Sequence, residues 1–216
     1  MARWIVAFDV DGTLTIERSI WGRLHMELGT WDGPGKEYYE RFFRGEFDYA
    51  EWARLDAALW KGIPYDRILK IAKRTRIRKG TEDLMNYLKK HDVVIAAISG
   101  GLTILTDIIK EKFNLDYSIS NVLLHDNGVL NGKVKVFVEY WNKDKILREI
   151  AKEQNISLSN TIFVGNGDND IPVFKIAGHS IAFNPDSEEV ANSAEVIVES
   201  EDISDIIPYL DAWIKK

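Results

Sequence analysis

No cysteine occurs anywhere in the 216 residues. Disulfides, thiolate metal cages and cysteine nucleophiles are thereby excluded. Long apolar runs are also missing, and no segment approaches the ~20 apolar residues of a membrane span. The first apolar stretch begins at Trp4, is short, and runs straight into Asp9, so it does not read as a secretory signal. The expectation is a soluble, cytoplasmic protein. There is no excess of positive charge either. The 28 Lys and Arg are outnumbered by 34 Asp and Glu, and the net charge of −6 argues against a nucleic-acid or membrane partner. The basic cluster Lys73, Arg74, Arg76, Arg78 and Lys79 reads as a solvated helix end and hinge. The four histidines, His25, His91, His125 and His179, show no ligand spacing and are given no role. Gly33-Pro34-Gly35-Lys36 fails as a nucleotide-binding loop, because Thr30 and Glu37 stand where Gly and Ser or Thr are needed.

What the chain does contain is a repeated alternation. Continuous apolar runs occur at residues 4–8, 93–98 and 162–164, with shorter ones at 181–183 and 196–198. Runs apolar on both faces suit strands buried in a parallel sheet. Helical spacing lies between them, at 81–90, 102–113, 145–154 and 202–214. The pattern predicts a doubly wound, Rossmann-like α/β core. Residues 15–78 break it: they show no strand run and are rich in aromatics, among them Trp21, Trp31, Tyr39, Phe43, Trp52 and Trp60. They read as a small helical cap inserted after the first strand, its aromatics forming the cap's own core, with 1–14 and 79–216 making the catalytic core. Residues 118–138 read as short antiparallel strands, with turn signals at Asn127-Gly128 and Asn131-Gly132.

Three apolar runs end in polar sequence: Asp9-Val10-Asp11-Gly12-Thr13, Ser99-Gly100-Gly101, and Gly165-Asn166-Gly167-Asp168-Asn169-Asp170. In an open α/β sheet, ligands bind beyond the carboxyl ends of the strands, so the three should converge on one crevice. Two carboxylates one residue apart after a buried strand are costly unless a cation or a reaction needs them. A turn or helix cap is the bland alternative for each segment. Ser99-Gly100-Gly101, read as a loop before a helix, offers a hydroxyl, backbone N–H groups and a helix N-terminus to a phosphate. Lys143 at a helix start is misplaced by the dipole rule unless it faces an anion. The oxygen-bearing side chains of 166–170 suit Mg²⁺, which keeps waters and takes a substrate phosphate.

In that order these segments resemble the four motifs of the haloacid-dehalogenase-like phosphatases, and the insertion resembles their commonest cap. More closely, the chain is similar to phosphoserine phosphatases, through Ile98-Ser99-Gly100-Gly101, the Asn127-Gly128 region, and Asn169-Asp170 followed by Phe174-Lys175. The resemblance implies an aspartyl-phosphate mechanism with Asp9 as nucleophile and Asp11 as acid and base. It implies phosphate binding by Ser99, Gly100, Lys143 and Asn169. It implies Mg²⁺ held by Asp9, the Asp11 backbone carbonyl and Asn166, with Asp170 on metal-bound water or orienting Lys143. A small carboxylate-bearing phosphate ester is the expected partner, phosphoserine first, with the carboxylate on Arg54.

Two positions depart from the family. Asn166 stands where Asp is usual, which removes a charge from the metal site, and Asp168 is near enough in sequence to compensate. Arg18 stands where the family holds the substrate ammonium with Glu, and Glu17 lies one residue before it. A phosphotransferase or mutase on the same scaffold is the alternative, and a non-catalytic binding protein ranks below both. Whether the chain is a monomer or a homodimer is not written in the sequence.

Overall fold

The apolar run after Trp4 becomes strand β1 (Ile5–Phe8), buried along its whole length. Four helices follow: α1 (Ile20–Leu28), α2 (Lys36–Phe43), α3 (Tyr49–Leu59) and α4 (Tyr65–Ala72). The alternation resumes with α5 (Thr81–Lys89), β2 (Val94–Leu102), α6 (Thr103–Phe113) and the hairpin of β3 (Tyr117–Asp126) and β4 (Val129–Lys135). It continues through α7 (Lys143–Glu153), β5 (Thr161–Gly165), α8 (Ile171–Phe174), β6 (His179–Phe183), α9 (Glu188–Ser193), β7 (Val196–Val198) and α10 (Ile207–Ile214). The computed structural model describes residues 4–215. Among them no helix is long and apolar enough to cross a membrane.

Seven strands form one sheet in the order β4-β3-β2-β1-β5-β6-β7. All neighbours are parallel except β3 and β4. This is the doubly wound α/β core expected from the sequence. Side chains alternate across a strand, and both faces of this sheet are covered. Val6 and Phe8 join Ile95, Ala97, Ile162 and Val164 on one face; Ile5 and Ala7 join Val94, Ala96, Ile98 and Phe163 on the other. That double burial is why the strands read as unbroken apolar runs. The chain leaves β1 toward β2, then returns to β5 on β1's other side, so a crevice opens at the carboxyl end of β1, where Asp9 stands.

Two local expectations are corrected. Ser99, Gly100 and Gly101 are not a loop but the bulged end of β2, whose pairing to β3 shifts between Ile98 and Leu102, and the helix starts at Thr103. Asn127-Gly128 makes the hairpin turn, with both residues at positive φ. Asn131-Gly132 instead lies inside β4, as a bulge opposite the step from Leu124 to His125.

Helices α1–α4 have no core of their own. Leu24, Trp60 and Ile68 belong to the same apolar cluster as Leu102, Leu105 and Leu130. The segments entering and leaving this helical region run side by side. Ile16 N–H donates to Arg76 O at 3.0 Å, and Arg78 N–H donates to Leu14 O at 2.9 Å. This neck supports our proposal that residues 15–78 act as a cap on the remainder. Just past it, Gly80 has φ +79°, and a Cβ there would collide with the Asp202 carboxylate and the Ser204 backbone. Gly80→Ala is expected to lower stability by about 1–3 kcal/mol. An unchanged urea midpoint would show that this turn tolerates the side chain.

Candidate active site

Three strands and one helix deliver the site. Asp9 follows β1, Ser99 sits at the end of β2, Asn166 follows β5, and Lys143 is the first residue of α7. The Lys143 side chain is 0% exposed, which a lysine sustains only with anionic partners. Its Nζ lies 2.8 Å from Asp9 Oδ1 and 2.6 Å from Asp170 Oδ1. The other Asp170 oxygen accepts from Asn166 N–H at 2.8 Å and Gly167 N–H at 3.0 Å. Asp170 is therefore committed to orienting Lys143 and fastening the loop after β5. Three of its four lone-pair positions are used in this way.

Burial dominates the electrostatics. It pushes the Asp9 carboxyl up to about 6, with Lys143 opposing and Asp170 assisting. It pushes Asp11 up to about 7, and the neighbouring Asp9 adds to the rise. Burial alone would lower Lys143, but Asp170 and Asp9 outweigh it and hold the ammonium up at about 12. Near neutral pH the site thus combines a fixed cation, a carboxylate and a carboxyl able to carry a proton.

The Ser99 segment is held by its backbone. The Gly100 carbonyl accepts from Trp21 Nε1 (3.0 Å), Tyr49 Oη (2.5 Å) and Asn121 Nδ2 (2.9 Å). Gly101 N–H donates to Ser99 Oγ at 2.9 Å. Asn121 Oδ1 also accepts from Phe137 and Val138 N–H, which ties the strand end to the segment leading to Lys143.

Asp11 Oδ1 is buried with no hydrogen-bond partner among the described residues, and Asp9 Oδ1 has only the off-angle Lys143 ammonium. Asn166 Oδ1 accepts from Thr13 Oγ1 at 2.8 Å, while its Nδ2 donates to Asp186 Oδ2 at 3.1 Å. That fixes the amide with its oxygen beside Thr13 and one lone pair spare. Under-satisfied oxygens in an acidic crevice fit a hard divalent cation. Among the described residues no three His, Asp or Glu side chains make a cage by themselves, so such an ion would rely on backbone, amide, water and substrate oxygens as well.

A cavity of about 430 Å³ opens over Asp9 and Asp11. Ser99, Gly100, Asn166, Asn169 and Arg18 reach it; Arg54 and Glu17 do not. Arg54 points outward and pairs with Glu51 at 2.6 Å. Glu17 serves the neck, accepting from Arg76 at 3.0 Å with Arg23 at 3.2 Å. Arg18 stands at the rim, paired with Asp186. The cap aromatics do not form a separate core: Trp60 is buried in the apolar cluster shared with the sheet, and Trp21, Trp31, Tyr39, Tyr49 and Trp52 line the cavity.

A profile of the haloacid dehalogenase-like hydrolases matches residues 5–178. The chain belongs to the haloacid dehalogenase-like hydrolases. The phosphoserine phosphatase of Methanocaldococcus jannaschii is 34% identical over 209 residues, 95% of this chain and 97% of that one. That of Archaeoglobus fulgidus is 36% identical over 83% of this chain, which spans only 52% of that longer protein. A solved phospho-aspartyl intermediate analogue of phosphoserine phosphatase superposes with a TM-score of 0.84 at 31% identity, covering 97% of this chain and 99% of that one.

In this hydrolase, sequence reasoning missed Asn121, Asp186 and Arg78, whose guanidinium bonds to the carbonyls of Gly12, Thr13 and Thr15. Arg78 sat in the basic cluster read as solvated, and nothing in the sequence signals the other two. His25 was also given no role. Buried beside Asp56, it too faces the cavity.

Because folding raises the Asp11 carboxyl from 3.8 to about 7, the fold favours its protonated form. Its presence therefore costs stability progressively as pH rises from about 4 to 7. In the metal-free protein, Asp11→Asn is expected to stabilise by a few kcal/mol more at pH 8 than at pH 4, each tenfold gain in proton affinity on folding being worth at most ~1.4 kcal/mol. Equal gains in melting temperature at both pH values would contradict this.

Proposed function

We propose that the chain is a phosphomonoester hydrolase that works through an aspartyl-phosphate on Asp9. One observation carries the reading: Asp9 lies buried beneath the cavity with the buried Lys143 ammonium 2.8 Å from one oxygen and the protonatable Asp11 beside it. Asp9 attacks phosphorus and the bond to the ester oxygen breaks. Asp11 gives its proton to the departing alcohol. The Asp11 carboxylate then takes a proton from the water that attacks the aspartyl-phosphate, and phosphate leaves with Asp9 restored. Lys143, the Ser99 hydroxyl and the Gly100 N–H stabilise the non-bridging oxygens, and Asn169 at the rim reaches the same group. The Asp9 carboxylate, the Asp11 carbonyl and the Asn166 amide oxygen would hold Mg²⁺, which when bound would supply the charge that offsets repulsion between carboxylate and phosphate dianion.

The relatives support phosphoserine as the first substrate to test. With Arg54 turned outward, the substrate carboxylate would meet Arg18. A clear preference for phosphoserine over its deaminated analogue is expected, and equal rates would remove it from consideration.

With p-nitrophenyl phosphate and Mg²⁺, Asp9→Asn is expected to abolish turnover. Asp11→Asn should release about one nitrophenolate per enzyme, then slow by roughly 10²–10⁴-fold, because nitrophenolate leaves without an acid but the second step needs a base. A single slow phase without a burst would argue against the covalent route. Asn166→Asp is expected to lower the Mg²⁺ concentration for half-maximal rate by restoring a negative ligand. An unmoved activation curve would count against Asn166 as a ligand.

A further inference from the structure

The cavity wall is strongly one-signed. Asp9, Asp11, Asp56, Asp168 and Asp186 all line it, against the single guanidinium of Arg18, which Asp186 already engages. The phosphate end, with Mg²⁺ and Lys143, accounts for Asp9 and Asp11. It does not account for Asp56, which comes from α3 in the cap.

Asp56 is 2% exposed. His25 Nε2 lies 3.1 Å from its Oδ2, and its Oδ1 has no hydrogen-bond partner among the described residues. His25 is fixed behind it. Its Nδ1 lies 2.8 Å from Thr30 Oγ1, which also accepts from Trp60 Nε1, and its ring packs on Trp60 at 4.9 Å. Trp60 stacks on Trp21 at 5.5 Å, and Trp21 bonds to the Gly100 carbonyl beside Ser99. A continuous set of contacts thus places Asp56 at a set distance from the phosphate end. The rings of Trp31, Tyr49 and Trp52 line the same cavity. A buried carboxylate oxygen without a donor is costly by itself. An ammonium group entering a cavity lined by a carboxylate and aromatic rings gains from charge pairing and from the ring quadrupoles.

We propose that Asp56 is the specificity residue of this site and receives a protonated amine, making the substrate class phosphate esters of amino alcohols. The proposal rests on the phosphatase reading above and goes further, since it assigns the far end of the substrate. Phosphoserine belongs to the class by its amine; its carboxylate is not what Asp56 selects.

The test compares 2-aminoethyl phosphate with propyl phosphate, which has the same chain length and no charge at its far end. Wild-type kcat/KM is expected to favour the amine by roughly 10–100-fold, the range for a hydrogen bond to a charged group. In Asp56→Asn that ratio should fall toward one, mainly through KM. The wild-type ratio needs no variant, so misfolding of Asp56→Asn cannot shield the proposal. A wild-type ratio near one, or a ratio unaltered in a folded Asp56→Asn, overturns it. p-Nitrophenyl phosphate separates the two readings: turnover of that ester with no amine preference sinks the Asp56 assignment alone. If no ester turns over, quenching of tryptophan fluorescence still decides. 2-Aminoethyl phosphate should quench Asp9→Asn at concentrations at least 10-fold lower than propyl phosphate, and equal titrations overturn the assignment.

Discussion

The buried ammonium of Lys143 is the constraint on which the site's construction depends. A cation with no water around it must be matched by charge, and here two carboxylates do so, at 2.8 and 2.6 Å. Asp170 must therefore come up from below, so the loop after β5 folds back to give its backbone N–H groups to the same carboxylate. Asp9 must stand on the other side, at the end of the neighbouring strand β1. The first turn of α7 must lie where Lys143 can reach both. Withdrawing the cation would leave two buried carboxylates facing each other, a loss of about 3–5 kcal/mol. Catalytic geometry and fold stability are thus one arrangement of three side chains.

That triad sets one ammonium against two carboxylates and has no positive charge to spare, so the acidity of the cavity above it stands unopposed. The acidic wall of the cavity, its one guanidinium already engaged, would repel a phosphate dianion approaching by itself. An anion reaches Asp9 only where a divalent cation has altered the field, or where the other end of the same molecule is positive. The proposed Mg²⁺ and the proposed amine subsite answer the same electrostatic problem from opposite ends of the substrate.

The sequence displayed its core openly because both faces of the sheet are buried, so strands such as Ile5–Phe8 carry no polar residue. It displayed Asp9, Asp11, Ser99, Lys143 and Asn166 because these follow strands or open a helix, where local order predicts proximity. It did not display Asp56 or His25, which lie on cap helices at ordinary helical positions. Their meaning comes only from which way those helices turn over the crevice. Arg54, two residues from Asp56, was the more conspicuous cation, yet two residues along a helix is roughly half a turn, and it faces solvent paired with Glu51. Asn121 and Arg78 act on backbone carbonyls far away in sequence, and such partners leave no local pattern to read.

The Gly100 carbonyl, with donors from Trp21 and Tyr49 in the cap and Asn121 in the core, has a bearing on motion. Lifting the cap removes two of its three donors together, since both ride on the same group of helices. Asn121 alone would then hold it, so the strand end beside Ser99 has its full set of donors only while α1 and α3 lie over it. The order of the backbone next to Ser99 is thus tied to the seating of those helices.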